Sequence, residues 1–142
     1  MDIRVTYGTG EGFTKSSAFD RALFNAGIAN YNLIKVSSVI PEKSRVLIKK
    51  INCNQKEHGY KLYVALAKHT ETIIGKEAWA GLGWIQNKRG KGLFVEHSGS
   101  SKKQVGDLIN DSLNNMKEYR HEEYFSYWWR GISGLLHMRE AS

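Results

Sequence analysis

The chain holds one cysteine, Cys53, and one proline, Pro41, in 142 residues. A lone cysteine excludes an intrachain disulfide, and a cytoplasmic setting is the simplest expectation. No apolar run approaches the roughly 18 residues that a membrane-spanning helix needs. The opening "MDIRVTYGTGEG" lacks a basic segment followed by an apolar core, so no signal peptide is expected. The five histidines, His58, His69, His97, His121 and His137, never fall at H-x-H or H-E-x-x-H spacing. With a single cysteine beside them, no metal site is expected. Acidic residues are scarce in the middle: residues 43–103 carry thirteen Lys and Arg against four Asp and Glu, within a net charge of +7. Such a segment raises polyanion binding. The lysines of "SRVLIKKINCNQKEHGYKLYVALAK" are interspersed among apolar residues, however, as on solvated sheet faces. No nucleic-acid motif accompanies them.

What is present suits one domain over residues 1–142, long enough to bury a core. "DIRVTYG" alternates like a strand, and "GTGEGFTKSS" reads as a glycine-rich loop. "SAFDRALFNAGI" predicts a helix with a serine at its start, Phe19, Leu23 and Phe24 on one face, and Gly27 as its stop. "NYNLIKVSS", "RVLIKKI", "YKLYVALAKH", "EAWAGLGWIQ" and "GLFVEHSG" read as strands, with "NKRGKG" as a turn. In "SSKKQVGDLINDSLNNMKEYR", Val105, Leu108, Ile109, Leu113 and Met116 recur at three- and four-residue steps, which predicts a helix capped by Ser101. The aromatic tail "YFSYWWRGISGLLHM" suggests a bent strand, with Trp128 and Trp129 in core or subunit contacts. The sum is α+β, with a largely antiparallel sheet and two main helices.

Two features invite chemistry. Gly8, Gly10 and Gly12 lie between a strand and a helix, where phosphate cradles occur. Their spacing fits neither G-x-G-x-x-G nor the P-loop, and Glu11 would repel an anion, so unusual backbone angles are the simpler reason for them. Serine pairs occur three times. Ser16–Ser17 and Ser100–Ser101 sit where helix caps are expected, whereas Ser37–Ser38 ends a strand before "VIP". In a strained, desolvated bend, a hydroxyl there could attack the preceding carbonyl.

In that context "GEGFTKSSAFDRALFNAGIANYNLIKVSSVIP", Gly10 to Pro41, resembles the pyruvoyl-dependent arginine decarboxylase family. The G-E-G loop, A-F-D, the helix ending N-A-G-I, N-x-N-L-I and S-S-x-x-P follow in the family's order. "GLFVEHSGSSKK" resembles its later strand and lysine-rich helix start. The resemblance implies a four-layer αββα sandwich with largely antiparallel sheets, and a proenzyme that cuts itself between Ser37 and Ser38. The Ser38 hydroxyl would attack the Ser37 carbonyl to form an ester. Loss of the Ser38 α-proton would then expel the Ser37 carboxylate and leave dehydroalanine, whose hydrolysis gives a pyruvoyl group and ammonia. The products would be a β chain, residues 1–37, and an α chain, residues 38–142.

By the same resemblance, the pyruvoyl group from Ser38 would form a Schiff base with L-arginine and release CO2 and agmatine, without metal or pyridoxal phosphate. Glu96 would protonate the product carbanion, so glutamine there is expected to stop turnover and leave cleavage largely intact. A donor must hold its proton at working pH, and apolar neighbours such as Leu93, Phe94 and Val95 favour an uncharged carboxyl. Asn32 would hydrogen-bond substrate or position the reactive carbonyl. Asp20 would meet the guanidinium, for which a planar carboxylate is well shaped. Leu23 and Val39 would line the aliphatic stem. The family's assembly implies a homotrimer, sometimes paired into a hexamer, with sites at subunit boundaries. This chain departs from the family's pattern at Ala29 in "GIAN", in the lysine-rich stretch after Pro41 and in the bulky "YWWRG". Two alternatives therefore stay open: a pyruvoyl decarboxylase of another amino acid, or an uncleaved binding and assembly module.

Overall fold

A computed structural model describes residues 1–128 and 137–140. The chain runs β1 (Asp2–Val5), β2 (Thr9–Gly12), α1 (Lys15–Ala26), β3 (Asn32–Lys35), β4 (Val39–Ile40) and β5 (Arg45–Ile48). After a 3-10 turn at Gln55–Glu57 come β6 (Lys61–Val64), β7 (His69–Glu71), β8 (Trp79–Gln86), β9 (Gly92–Gly99), α2 (Lys102–Glu118), β10 (Phe125–Trp128) and β11 (His137–Glu140). The class is α+β. Trp129 and most of the tail's expected bent strand lie outside the described residues.

One four-stranded sheet, in the order β10-β8-β9-β4, is wholly antiparallel. Its centre is the β8–β9 hairpin, closed by the Asn87–Lys91 turn with Gly90 at φ 83°. Among the described residues, the antiparallel pairing expected to predominate is confined to this sheet. β1 pairs with β5, β3 with β6, and β11 with both β2 and β7, all in parallel. Parallel partners need long crossovers, and α1 or the intervening β4–β5 stretch supplies them for β1–β5 and β3–β6.

Strand alternation distributes the hairpin over two cores. Ile85, Leu93 and Val95 face Val105, Ile109 and Leu113 of α2. Ala80, Leu82, Trp84 and Phe94 face the opposite way, with Ile40 and Val5, against Ile3 and Val46 of the β1–β5 pair. The Trp84 and Phe94 rings lie 6.0 Å apart and tilted, so Phe94 is braced from its own sheet. A third core joins Ala18, Ala22, Leu23 and Ala26 of α1 to Ile28, with Leu33 and Leu62 of the β3–β6 pair against it.

Within the glycine-rich stretch Thr9–Gly12 is strand rather than loop, and none of Gly8, Gly10 or Gly12 has positive φ. Their reason is close approach to α1. A Cβ would lie 2.1 Å from Ala22 O at Gly8, 2.4 Å from Ala22 N at Gly10 and 2.5 Å from Ala18 N at Gly12. Alanine, at a four-residue step on α1, is the matching surface. This stripe turns Phe24 outward, 64% exposed, instead of placing it beside Leu23 on the buried face. The N-cap of α1 is Thr14, which exchanges hydrogen bonds with Ser17, rather than the serine expected at the start. Gly27 ends α1 at φ 84° and Ser101 caps α2, both as expected.

Candidate active site

Ser38 lies between β3 and β4, at the centre of a three-residue turn in which the Val39 N–H donates to the Ser37 carbonyl at 2.9 Å. The Phe94 N–H donates to the Ser38 carbonyl at 2.7 Å, and Val39 and Ile40 continue the pairing opposite Leu93 and Gly92. The turn is therefore held at both ends, by itself and by β9. Alternation places Glu96 on the same face of β9 as Phe94, away from α2. There the Ser38 hydroxyl donates to Glu96 Oε1 at 2.5 Å, with both residues half-buried.

This constellation combines three chemical elements. A hydroxyl is bonded to a carboxylate able to take its proton. The carbonyl that precedes it already accepts an N–H, the type of donor that stabilises a developing oxyanion. The backbone between them is pinned. Sequence reasoning named Ser38 and Glu96 but missed the Val39 and Phe94 amides, since backbone donors leave no signature in residue type.

The remaining sequence-predicted residues are not bonded to this pair. Asp20 is exposed on α1 and lines an open cavity of about 450 Å³ with Glu11, Phe13, Ser17, Arg21 and Phe24. Glu11 doubles the carboxylates there, and Phe13, 94% exposed, adds an apolar wall. Leu23 is buried among the alanines of α1, whereas Val39 is exposed. Asn32 opens β3, its N–H donating to Tyr60 O at 2.8 Å and its Nδ2 to Gly59 O at 2.9 Å. Beside it the Tyr31 hydroxyl donates to Glu57. That bond to a carboxylate holds the phenol's pKa above its ordinary value. A second cavity, about 480 Å³, lies at the β8–β9 turn among Lys43, Arg45, Lys88 and Arg89, and no predicted site residue lines it.

No group of three or more metal-ligating side chains occurs among the described residues. Among them, too, no helix is long and apolar enough to cross a membrane.

A family model described as pyruvoyl-dependent arginine decarboxylase matches residues 2–141. A pyruvoyl-dependent arginine decarboxylase of Halobacterium salinarum is 38% identical over 94 residues, 66% of this chain and 58% of that protein. One of Thermoplasma volcanium is 30% identical over 111 residues, 75% of this chain and 61% of that protein. One of Methanothermobacter thermautotrophicus is 51% identical over 47 residues, 33% of this chain and 31% of its own length. The match thus spans about three-fifths of the first two relatives.

Proposed function

The chain belongs to the pyruvoyl-dependent arginine decarboxylase family, and from that premise we propose that it cuts itself between Ser37 and Ser38 and then decarboxylates L-arginine to agmatine. The observation that carries the proposal is the 2.5 Å hydrogen bond from the Ser38 hydroxyl to Glu96. In the first step Glu96 takes the hydroxyl proton as Ser38 Oγ bonds to the Ser37 carbonyl carbon. The Val39 N–H, already on the Ser37 oxygen, meets the charge that develops there.

A pyruvoyl group at position 38 fits these surroundings, since the residue is half-buried, pinned by the Phe94 amide and next to an acid. When formed, it supplies an electrophilic carbonyl that condenses with the substrate amine and draws electrons from the breaking Cα–carboxylate bond. Glu96, placed at that position, then returns a proton to the substrate carbon. Its contact with Ser38 gives it a part in cleavage as well. The expectation that glutamine at 96 leaves cleavage largely intact is therefore replaced by one of slowed cleavage.

Asp20 and Glu11 offer paired carboxylates to a guanidinium. Because neither is bonded to Ser38, a complete site is formed when a second copy brings its α1 cavity to the first copy's Ser38. A homotrimer, alone or paired as a hexamer, satisfies this. The order α2, antiparallel sheet, parallel pairs, α1 supports a four-layer sandwich within one domain. A cytoplasmic setting agrees with the single cysteine.

The test is denaturing mass spectrometry of the purified protein, followed by CO2 release from arginine, ornithine, lysine and histidine in parallel. The proposal expects fragments 1–37 and 38–142, with arginine the best substrate. A single uncut chain after prolonged incubation would leave only the binding-module alternative. Cleavage with a preference for another amino acid would retain the chemistry and reassign the substrate.

A further inference from the structure

Residues 30–32 are fastened to the turn formed by residues 54–60. The Gly59 N–H donates to Asn30 O at 2.7 Å, and Asn32 contributes the two bonds to Gly59 and Tyr60 already described. The turn itself is built locally. Asn54 Oδ1 accepts the Lys56 N–H at 3.0 Å, and the Tyr60 N–H donates to Glu57 O at 2.9 Å. Gly59 sits at φ 83° with nothing within 4 Å of a Cβ, so backbone angle rather than space requires glycine there. Two half-buried residues of the 30–32 segment tie their side chains to the turn: Tyr31 to Glu57, and Asn30 more loosely, its Nδ2 donating to Gln55 Oε1 at 3.4 Å.

This arrangement fixes which end of the Asn32 amide is free. The neighbour of the side chain is a carbonyl, which can only accept, so the amide nitrogen must face it. Oδ1 has no partner among the described residues. Asn32 therefore offers Oδ1 as a free acceptor, with only one of its two amide hydrogens spent on Gly59.

We propose that Tyr31 and Glu57 are positioning residues for Asn32, their hydrogen bond holding the 54–60 turn so that Asn32 presents its amide oxygen to a substrate N–H. The role in catalysis rests on the decarboxylase reading above, while the ordering of the amide does not. Tyr31 packs against the α1 core and Glu57 closes the turn, so one bond couples core and turn.

The experiment uses the full chain and its Tyr31→Phe, Glu57→Ala, Glu57→Gln and Tyr31→Phe/Glu57→Ala variants. The Asn32 side-chain NH2 resonances, assigned by their loss in Asn32→Asp, report amide order without reference to activity. Tyr31→Phe and Glu57→Ala are expected to average those resonances. They are also expected to lower kcat/KM for arginine about tenfold, since even a ~1 Å misplacement can cost about 100-fold. Cleavage at Ser37–Ser38 should proceed normally. The double variant should be no worse than either single one, and Glu57→Gln, which still accepts from the phenol, should recover most of the loss. Unchanged amide resonances in both single variants would overturn the proposal, as would averaged resonances with unchanged kcat/KM in a wild-type protein that turns over. A wild-type protein that releases no CO2 from any of the four amino acids would instead remove the decarboxylase reading, and the amide spectra alone would then decide the positioning claim. Should Tyr31→Phe fail to fold, Glu57→Ala against Glu57→Gln gives the same comparison.

Discussion

The two halves of the candidate site are built in opposite ways. Glu96 lies on one antiparallel sheet and Ser38 in the turn that enters the edge strand of that sheet; the two touch directly and are half-buried. Asp20 and Asn32 sit on α1 and β3, exposed to solvent and tied only to their own surroundings. Under the proposed function, the difference follows from what each half would have to do. An intramolecular attack gains its rate from fixed geometry, so its parts have to be held by one chain. Recognition of a diffusing cation needs an open face, and a second copy can close that face later.

The sharpest way to break this division is Ser38→Ala. It removes the nucleophile, and mass spectrometry should find only the intact chain; two fragments would end the assignment. Next is Glu96→Gln, expected to lower CO2 release by about 100-fold or more and to slow cleavage, both read from one time course. Cleavage at the wild-type rate would confine Glu96 to turnover. Asp20→Asn belongs to the other half and should leave cleavage unchanged. It removes a charge-assisted hydrogen bond worth about 1.5–3 kcal/mol, so kcat/KM for arginine should fall while the preference over ornithine and lysine narrows. An unaltered preference would take the guanidinium away from Asp20. The smallest effect is expected from Thr14→Ala, which uncaps α1 at a cost of about 1 kcal/mol. A thermal melt should shift by a few degrees with cleavage untouched, and a cleavage defect would mean that the halves are not separable.

Much of this architecture is legible in the sequence, unevenly. β8, β9 and α2 follow from apolar runs and periodicity because the hairpin packs large side chains into a core on each face and α2 presents one face to the second of them. α1 and β2 were harder to read, since their contact is made of absent side chains: Gly8, Gly10 and Gly12 against Ala18, Ala22 and Ala26 resemble a loop and a featureless helix face. Thr14 was missed as a cap because Ser16 and Ser17 nearby are equally suitable by type. The parallel pairs were not foreseen because their partners lie far apart in the chain, and no local pattern records which strands meet. Within the site, Ser38 stood out only through the order of motifs around it, since two other serine pairs carry the same residues. The Tyr31–Glu57 bond left no trace at all, because neither spacing nor composition links the two positions.

The parallel pairs have one more consequence. Residues 1–37 contain β1, β2, α1 and β3, and every one of these strands is partnered across the junction: β1 with β5, β2 with β11, β3 with β6. A cut after Ser37 would divide the polypeptide without dividing the body it forms. The halves would stay woven together like a split protein that complements itself, parting only on unfolding. The new chain end at position 38 would gain local freedom while the pieces on either side of it kept their places.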